Sequence, residues 1–143
     1  MKTYVFVCSG NIIRSAFAHL YAQHIGIKNV DSIATTYKNQ KIHPETKKQL
    51  LKLGIPEEKI NKFKPKHISQ FKIPQNPMFI VMTEKHKQQL ISKGIPEDKI
   101  KKITQFIGKN NDIADPYWTR RFTHAFKTIK ECVQALKKEE ASK

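Results

Sequence analysis

The stretch Tyr4-Val5-Phe6-Val7-Cys8-Ser9-Gly10-Asn11-Ile12-Ile13-Arg14-Ser15 decides the reading of this chain. Its first four residues form a short apolar run, the pattern of a buried strand. The residues that follow, Ala16 to Tyr21, place Phe17, Leu20 and Tyr21 on one side of a helix. Cys8 therefore stands at the carboxyl end of a strand, and Arg14 stands where a helix begins. The loop between them contains Gly10 and Asn11, residue types that tolerate the left-handed backbone of a tight anion cradle.

That spacing suits one kind of chemistry. Backbone N–H groups from Gly10 to Ser15 can converge on a point that also feels the positive end of the helix. Ser9, Gly10, Asn11, Ile12, Ile13 and Ser15 are thus expected to cradle an anion with dipoles that need no reorganisation. The same field favours a thiolate, so Cys8 is expected to be a nucleophile near neutral pH. The planar fork of Arg14 matches two phosphate oxygens at once, which a lysine cannot do. Ser15 is placed either to cap the helix or to donate a hydrogen bond to the sulfur.

Cys-x5-Arg-Ser with Gly-Asn inside, after a strand and before a helix, resembles the loop of the low-molecular-weight protein tyrosine phosphatases, which reads Cys-x-Gly-Asn-x-x-Arg-Ser. The resemblance extends over residues 2 to 136 and is firm at two motifs. The second is Asp115-Pro116-Tyr117-Trp118. By itself an Asp-Pro pair reads as a turn, but the family places its general acid in such a pair late in the chain. The resemblance thus implies that Asp115 protonates the leaving group, with Cys8 and Arg14 as the other catalytic residues. A neighbouring phosphate dianion would keep that acid protonated at mildly acidic pH. Tyr117, Trp118, Tyr37 and Ile12 become candidate walls of a slot for an aryl group. Ser32 and His67 are expected to support the loop from behind, His67 by bonding Asn11.

The chain also departs from the family pattern. Ile13 stands where a second cysteine is common, Ala16 where proline follows the serine, Ala34-Thr35 in place of Ala-Gly, and Met82-Thr83 in place of Met-Asp.

Composition bounds the alternatives. The 143 residues suffice for one domain, 1–143, with a frayed tail from 137 to 143 expected. The formal net charge is +15, yet only Arg14, Arg120 and Arg121 among the 27 basic residues are arginines. Nucleic-acid readers lean on arginine, so scattered lysines read as a solvated surface whose field draws in phosphorylated substrates. Two cysteines make no disulfide framework, and the N-terminal apolar run is too short for a signal peptide. A reducing, cytoplasmic location without membrane contact is the expectation, with a monomeric state. No cofactor is expected, and no metal is needed because Arg14 and the loop amides supply the charge; His19, His24, His43, His86 and His124 show no ligand spacing.

Along the rest of the chain, residues 30–34 read as a second strand and Pro44 starts a helix over 45–53. Residues 61–76 read as irregular and 78–82 as a buried strand. A helix over 84–93, a strand over 100–106, a polar loop over 108–118 and a helix over 119–138 complete the pattern. Gln49 to Ile60 is echoed at Gln89 to Ile100, a helix exit of Gly, apolar residue and Pro used twice. Alternation of strand and helix implies an α/β fold: a four-stranded parallel sheet with helices on both faces and the anion loop after strand 1.

The function expected is metal-independent hydrolysis of phosphotyrosine in a protein, or of a small aryl phosphate, through a phosphocysteine. The rivals are an arsenate reductase on the same fold, which needs a thiol relay; a phosphotransfer domain; and a non-catalytic lysine-rich phosphate or nucleic-acid binder. Because Ile13 leaves Cys8 without an adjacent thiol, peroxide should drive the sulfur to irreversible acids. Full recovery of a peroxide-treated sample in dithiothreitol would count against that expectation.

Overall fold

The computed structural model describes residues 1–142. Four strands, β1 (Thr3–Cys8), β2 (Val30–Ala34), β3 (Pro77–Val81) and β4 (Ile100–Lys102), pair in parallel in the order β2-β1-β3-β4. Six helices accompany them: α1 (Arg14–His24), α2 (Pro44–Lys52), α3 (Glu57–Lys62), α4 (Glu84–Ser92), α5 (Pro116–Thr119) and α6 (Phe122–Ala141).

The apolar runs are continuous because both faces of the sheet are covered. Tyr4, Phe6, Ile80 and Met82 point to one side, into a core shared with Phe17 and Tyr21 of α1 and Phe126, Ile129 and Val133 of α6. Val5, Val7, Ile33, Phe79 and Val81 point to the other, against Leu90 of α4, Ile95 and Ile100. The rings of Phe17 and Phe126 stack at 4.4 Å and bring α6 onto α1.

The echoed helix exits are built alike. Gly54 and Gly94 take φ of +86° and +91°. Ile55 N–H then reaches back to the Leu50 carbonyl, and Ile95 N–H to that of Leu90. These are the long-range bonds of a left-handed helix cap, and each buries its isoleucine. The two copies then diverge: residues 57–62 continue as α3, which the sequence pattern hides behind Pro56, whereas 97–99 make a single 3-10 turn.

Several boundaries differ from expectation, among them the start of the last helix, at Phe122 rather than 119. β4 stops at Lys102 rather than 106, because the Gln105 side chain takes the Lys102 N–H at 2.9 Å and winds the chain into a 3-10 helix over 103–107. The loop over 108–118 contains the start of α5, opened by Asp115 and Pro116. The tail is helical through Ala141 rather than frayed from 137; Lys137 Nζ donates to the Gly26 carbonyl at 3.2 Å and holds that end to the turn after α1. Residue 143 lies outside the described residues. Among them, no helix is long and apolar enough to cross a membrane.

Gly94 tests the cap directly. A Cβ there meets nothing within 4 Å, so any penalty is purely conformational. Gly94→Ala should lower stability by about 1 kcal/mol, and Gly94→Asn by less, with an unchanged denaturant slope. An alanine variant as stable as wild type in urea would refute the cap.

Candidate active site

Strand β1 delivers Cys8 to the edge of the core, and the chain then wraps around its sulfur. Asn11 N–H and Ser15 N–H approach Sγ at 3.3 and 3.4 Å, and Ser15 Oγ at 2.9 Å. The direction of that last bond is set by its neighbours. Lys66 N–H donates to Asn11 Oδ1 at 3.1 Å, which fixes the amide so that Asn11 Nδ2 donates to Ser15 Oγ at 2.8 Å. The hydroxyl proton of Ser15 is left for the sulfur. Asn11 holds its place with φ of +57° and is fully buried. Gly10, by contrast, is not left-handed; a Cβ there would sit 3.6 to 3.7 Å from Ile12 and Tyr37, inside the mouth.

The loop carbonyls are turned outward by the segment from Thr35 to Thr46. Thr35 N–H donates to the Cys8 carbonyl, and Thr36 and Tyr37 N–H to that of Ser9. His43 N–H and Thr46 Oγ1 both donate to the Ile12 carbonyl. With its oxygens engaged there, the loop keeps its N–H side for the sulfur and for an anion beside it.

Arg14 is 3% exposed. Its Nη1 donates to the Ile113 carbonyl at 2.8 Å, and Nη2 lies 3.4 Å from Asp115 Oδ2. The other oxygen of Asp115 accepts from Tyr117 N–H at 3.0 Å, so one residue both caps α5 and faces the guanidinium. Cys8, Ser9, Gly10, Ile12, Ile13, Arg14, Tyr37, Asp115, Tyr117 and Trp118 line one cavity of about 310 Å³, and Gln40 joins them. Trp118 is 73% exposed and stands at its mouth.

The expected supports differ in detail. His67 does not bond Asn11: its Nδ1 caps the 3-10 turn at 68–70 by accepting from Ser69 N–H, and the backbone of Lys66 takes the tethering role. Backbone has the shorter reach here, because Lys66 O also accepts from Ala34 N–H and draws that segment alongside β2. Ser32 bonds His19 Nδ1 at 2.6 Å, bracing α1 rather than the loop. Thr83, one of the departures, caps α4 by accepting from His86 N–H.

A family model described as low molecular weight phosphotyrosine protein phosphatase matches residues 3–143. The chain belongs to that phosphatase family. Solved structures agree in fold. YfkJ from Bacillus subtilis is 21% identical with a TM-score of 0.83, over 99% of this chain and 96% of that one. The YwlE arginine phosphatase from Geobacillus stearothermophilus is 20% identical, with a TM-score of 0.81 over 99% and 93%. SP-PTP, a low molecular weight protein tyrosine phosphatase from Streptococcus pyogenes, is 25% identical, with a TM-score of 0.74 over 94% and 89%. Among curated proteins no sequence matches the chain.

His86 is the site neighbour that sequence reasoning missed. From α4 its Nε2 reaches Ser9 Oγ at 2.9 Å, while Nδ1 is buried without a partner. An orphaned lone pair is cheaper to bury than an orphaned N–H, which assigns the hydrogen to Nε2 and makes the imidazole the donor to Ser9. No motif spacing flags this pair, since 77 residues separate them. Among the described residues no cluster of three or more His, Cys, Asp or Glu is placed to hold a metal ion.

Burial lowers His86 to about 3, helped by the charges of Arg14 and Lys85 against Asp112. Burial likewise lowers His19 to about 4, with Asp31 opposing and Lys66 assisting. Both groups are neutral when folded and take up protons near pH 6.5 when unfolded. Their contribution is complete above about pH 6.5 and is lost as the pH falls toward 4 and below. Urea midpoints should therefore decline from pH 7 to pH 4.5, and the decline should be shallower in His19→Asn/His86→Gln. Parallel pH profiles for the two proteins would contradict these assignments.

Proposed function

We propose that the protein is a phosphotyrosine phosphatase that works through a phosphocysteine. The observation that carries this reading is the meeting of Cys8 Sγ, Arg14 and Asp115 around one cavity, with the donors of Asn11 and Ser15 aimed at the sulfur. Thiolate sulfur attacks phosphorus in line; the S–P bond forms as the aryl P–O bond breaks. Arg14 and the loop amides hold the equatorial oxygens, where charge is concentrated. Asp115 gives its proton to the departing phenolate, then takes one from the water that attacks the phosphocysteine. Phosphate leaves and the thiolate returns.

The walls favour an aryl ester over phosphoarginine. Ile12, Tyr37, Tyr117 and Trp118 offer apolar and aromatic faces to a phenyl ring. The lining contains one carboxylate, Asp115, which the reaction uses as its acid, so the pocket offers no second carboxylate to pair with a substrate guanidinium. A thiol relay of the arsenate reductase kind has no second member nearby in character: Cys132 is fully buried in the α6 core, and burial pushes its thiol up to about 11.

Hydrolysis of p-nitrophenyl phosphate and of a phosphotyrosine peptide should be insensitive to EDTA and inhibited by vanadate. Cys8→Ser should abolish it. Asp115→Asn should lower kcat by about 100-fold or more and remove the requirement for a protonated acid from the pH profile. Faster turnover of a phosphoarginine peptide than of its phosphotyrosine counterpart would overturn the substrate assignment.

A further inference from the structure

Arginine is rare in this chain, and each of its three copies lies beside the cavity or a few residues from its wall. Arg14 is inside it; Arg120 and Arg121 follow directly on Trp118 and Thr119. In a protein whose other strong cations are lysines, two adjacent planar forks offer a carboxylate a bidentate geometry that lysines cannot. Arg120 and Arg121 are exposed, and neither side chain has a salt-bridge or hydrogen-bond partner among the described residues. They line a cavity of about 540 Å³ with Glu45, Phe122, Thr123 and His124. Glu45 is its only acid and lies beyond ion-pair distance of either guanidinium, so the cavity keeps a net positive charge. Arg120 also sits at φ of +64°, a backbone that glycine or asparagine would adopt at less cost.

An aromatic strip joins this cavity to the phosphate pocket. The Trp118 and Tyr117 rings meet edge to face at 4.9 Å; His43 lies 6.5 Å from Tyr117 and stacks on Phe122 at 5.1 Å. Tyr117 lines the phosphate cavity and Phe122 the arginine cavity. The ring centres of those two residues are thus separated by no more than about 12 Å, the reach of roughly four residues of extended chain at about 3.3 Å each.

We propose that Arg120 and Arg121 form a substrate subsite that reads the carboxylate of an acidic residue within about four positions of the phosphotyrosine. This rests on the phosphatase reading above and adds to it a class of sequence. The strip of Tyr117, His43 and Phe122 supports the intervening peptide, and the two forks pair with the Asp or Glu side chain. A general +15 field would attract acidic peptides without regard to where the acid sits; a local fork requires it at one distance and on one side.

The test compares three phosphotyrosine peptides: one with glutamates two to four positions before the phosphotyrosine, one with glutamates two to four positions after it, and one with glutamines at all those places. For wild type, one of the two acidic peptides should exceed the glutamine peptide in kcat/KM by about ten-fold, the range expected of two charge-assisted pairs at a partly exposed site. Ratios within each variant cancel any general loss of activity. Arg120→Gln/Arg121→Gln should bring the ratio near one, and Arg120→Glu/Arg121→Glu should bring it below one. Lys93→Gln/Lys99→Gln removes the same charge at the opposite, amino-terminal end of β4 and should leave the ratio in place.

The subsite is refuted if the arginine variants keep the wild-type ratio, if the lysine control loses as much, or if both acidic peptides gain equally. Binding of the same peptides to Cys8→Ser, read from the fluorescence of Trp118, the single tryptophan, separates the two proposals. A binding preference that needs the arginines, with no hydrolysis by wild type, would retain the subsite and reject the phosphatase reading. Hydrolysis without any such preference would do the reverse.

Discussion

Everything near the mouth of this molecule depends on one constraint: a buried sulfur surrounded by donors must keep them pointed inward. Amide and hydroxyl hydrogens of Asn11 and Ser15 converge on Cys8 Sγ. Such an arrangement is unfavourable unless an anion occupies it and unless the opposite, carbonyl side of each peptide is satisfied elsewhere. The segment from Thr35 to Thr46 meets the second condition by donating to the carbonyls of Cys8, Ser9 and Ile12. The left-handed Asn11 is held by the amide of Lys66 and holds Ser15 in turn. The loop is thus braced by two separate parts of the chain, and its field is in place before any ligand arrives.

The sheet explains why those parts meet. β1 is central, with β2 on one side and β3 on the other, so the carboxyl end of β1 is the point where the connections diverge to opposite faces. Crevices in parallel sheets form at that point. The chain leaving β2 runs over one rim of the loop and supplies Tyr37 and His43. The chain leaving β3 enters α4 and presents His86 from beneath. The chain after β4 returns as Ile113, which fixes Arg14, and then as Asp115, which faces it. The exits of β1, β2 and β4 line the cavity, and that of β3 braces the loop through His86.

Charge is distributed by kind as well as by sign. Lysines supply most of the positive surface, whereas the guanidinium of Arg14 is buried with fixed partners. It grips a carbonyl and a carboxylate at once. The aromatic residues are divided in the same way: Phe17 and Phe126 stack in the core, while Trp118 and Tyr117 stay exposed beside the cavity. Exposing a tryptophan to this extent forgoes burial that a core position would provide, which fits a surface that is covered when substrate is present.

Contiguous residues made the loop legible from sequence. Cys8, Asn11, Arg14 and Ser15 lie within one turn of chain, so their mutual geometry follows from local backbone preferences and the start of a helix. The alternation of strands and helices, and hence the parallel sheet, was readable from apolar periodicity for the same local reason. The supports were not. His67 is a plausible tether by its type, yet the Lys66 backbone does that work, because register along β2 decides which atom arrives. α3, the short β4 and the helical tail were settled by caps and side-chain bonds that periodicity does not encode. The approach of Asp115 to Arg14 and of His86 to Ser9 spans many tens of residues. Such pairs exist only once strand order has been chosen, and strand order is a property of the packed core rather than of any stretch of sequence.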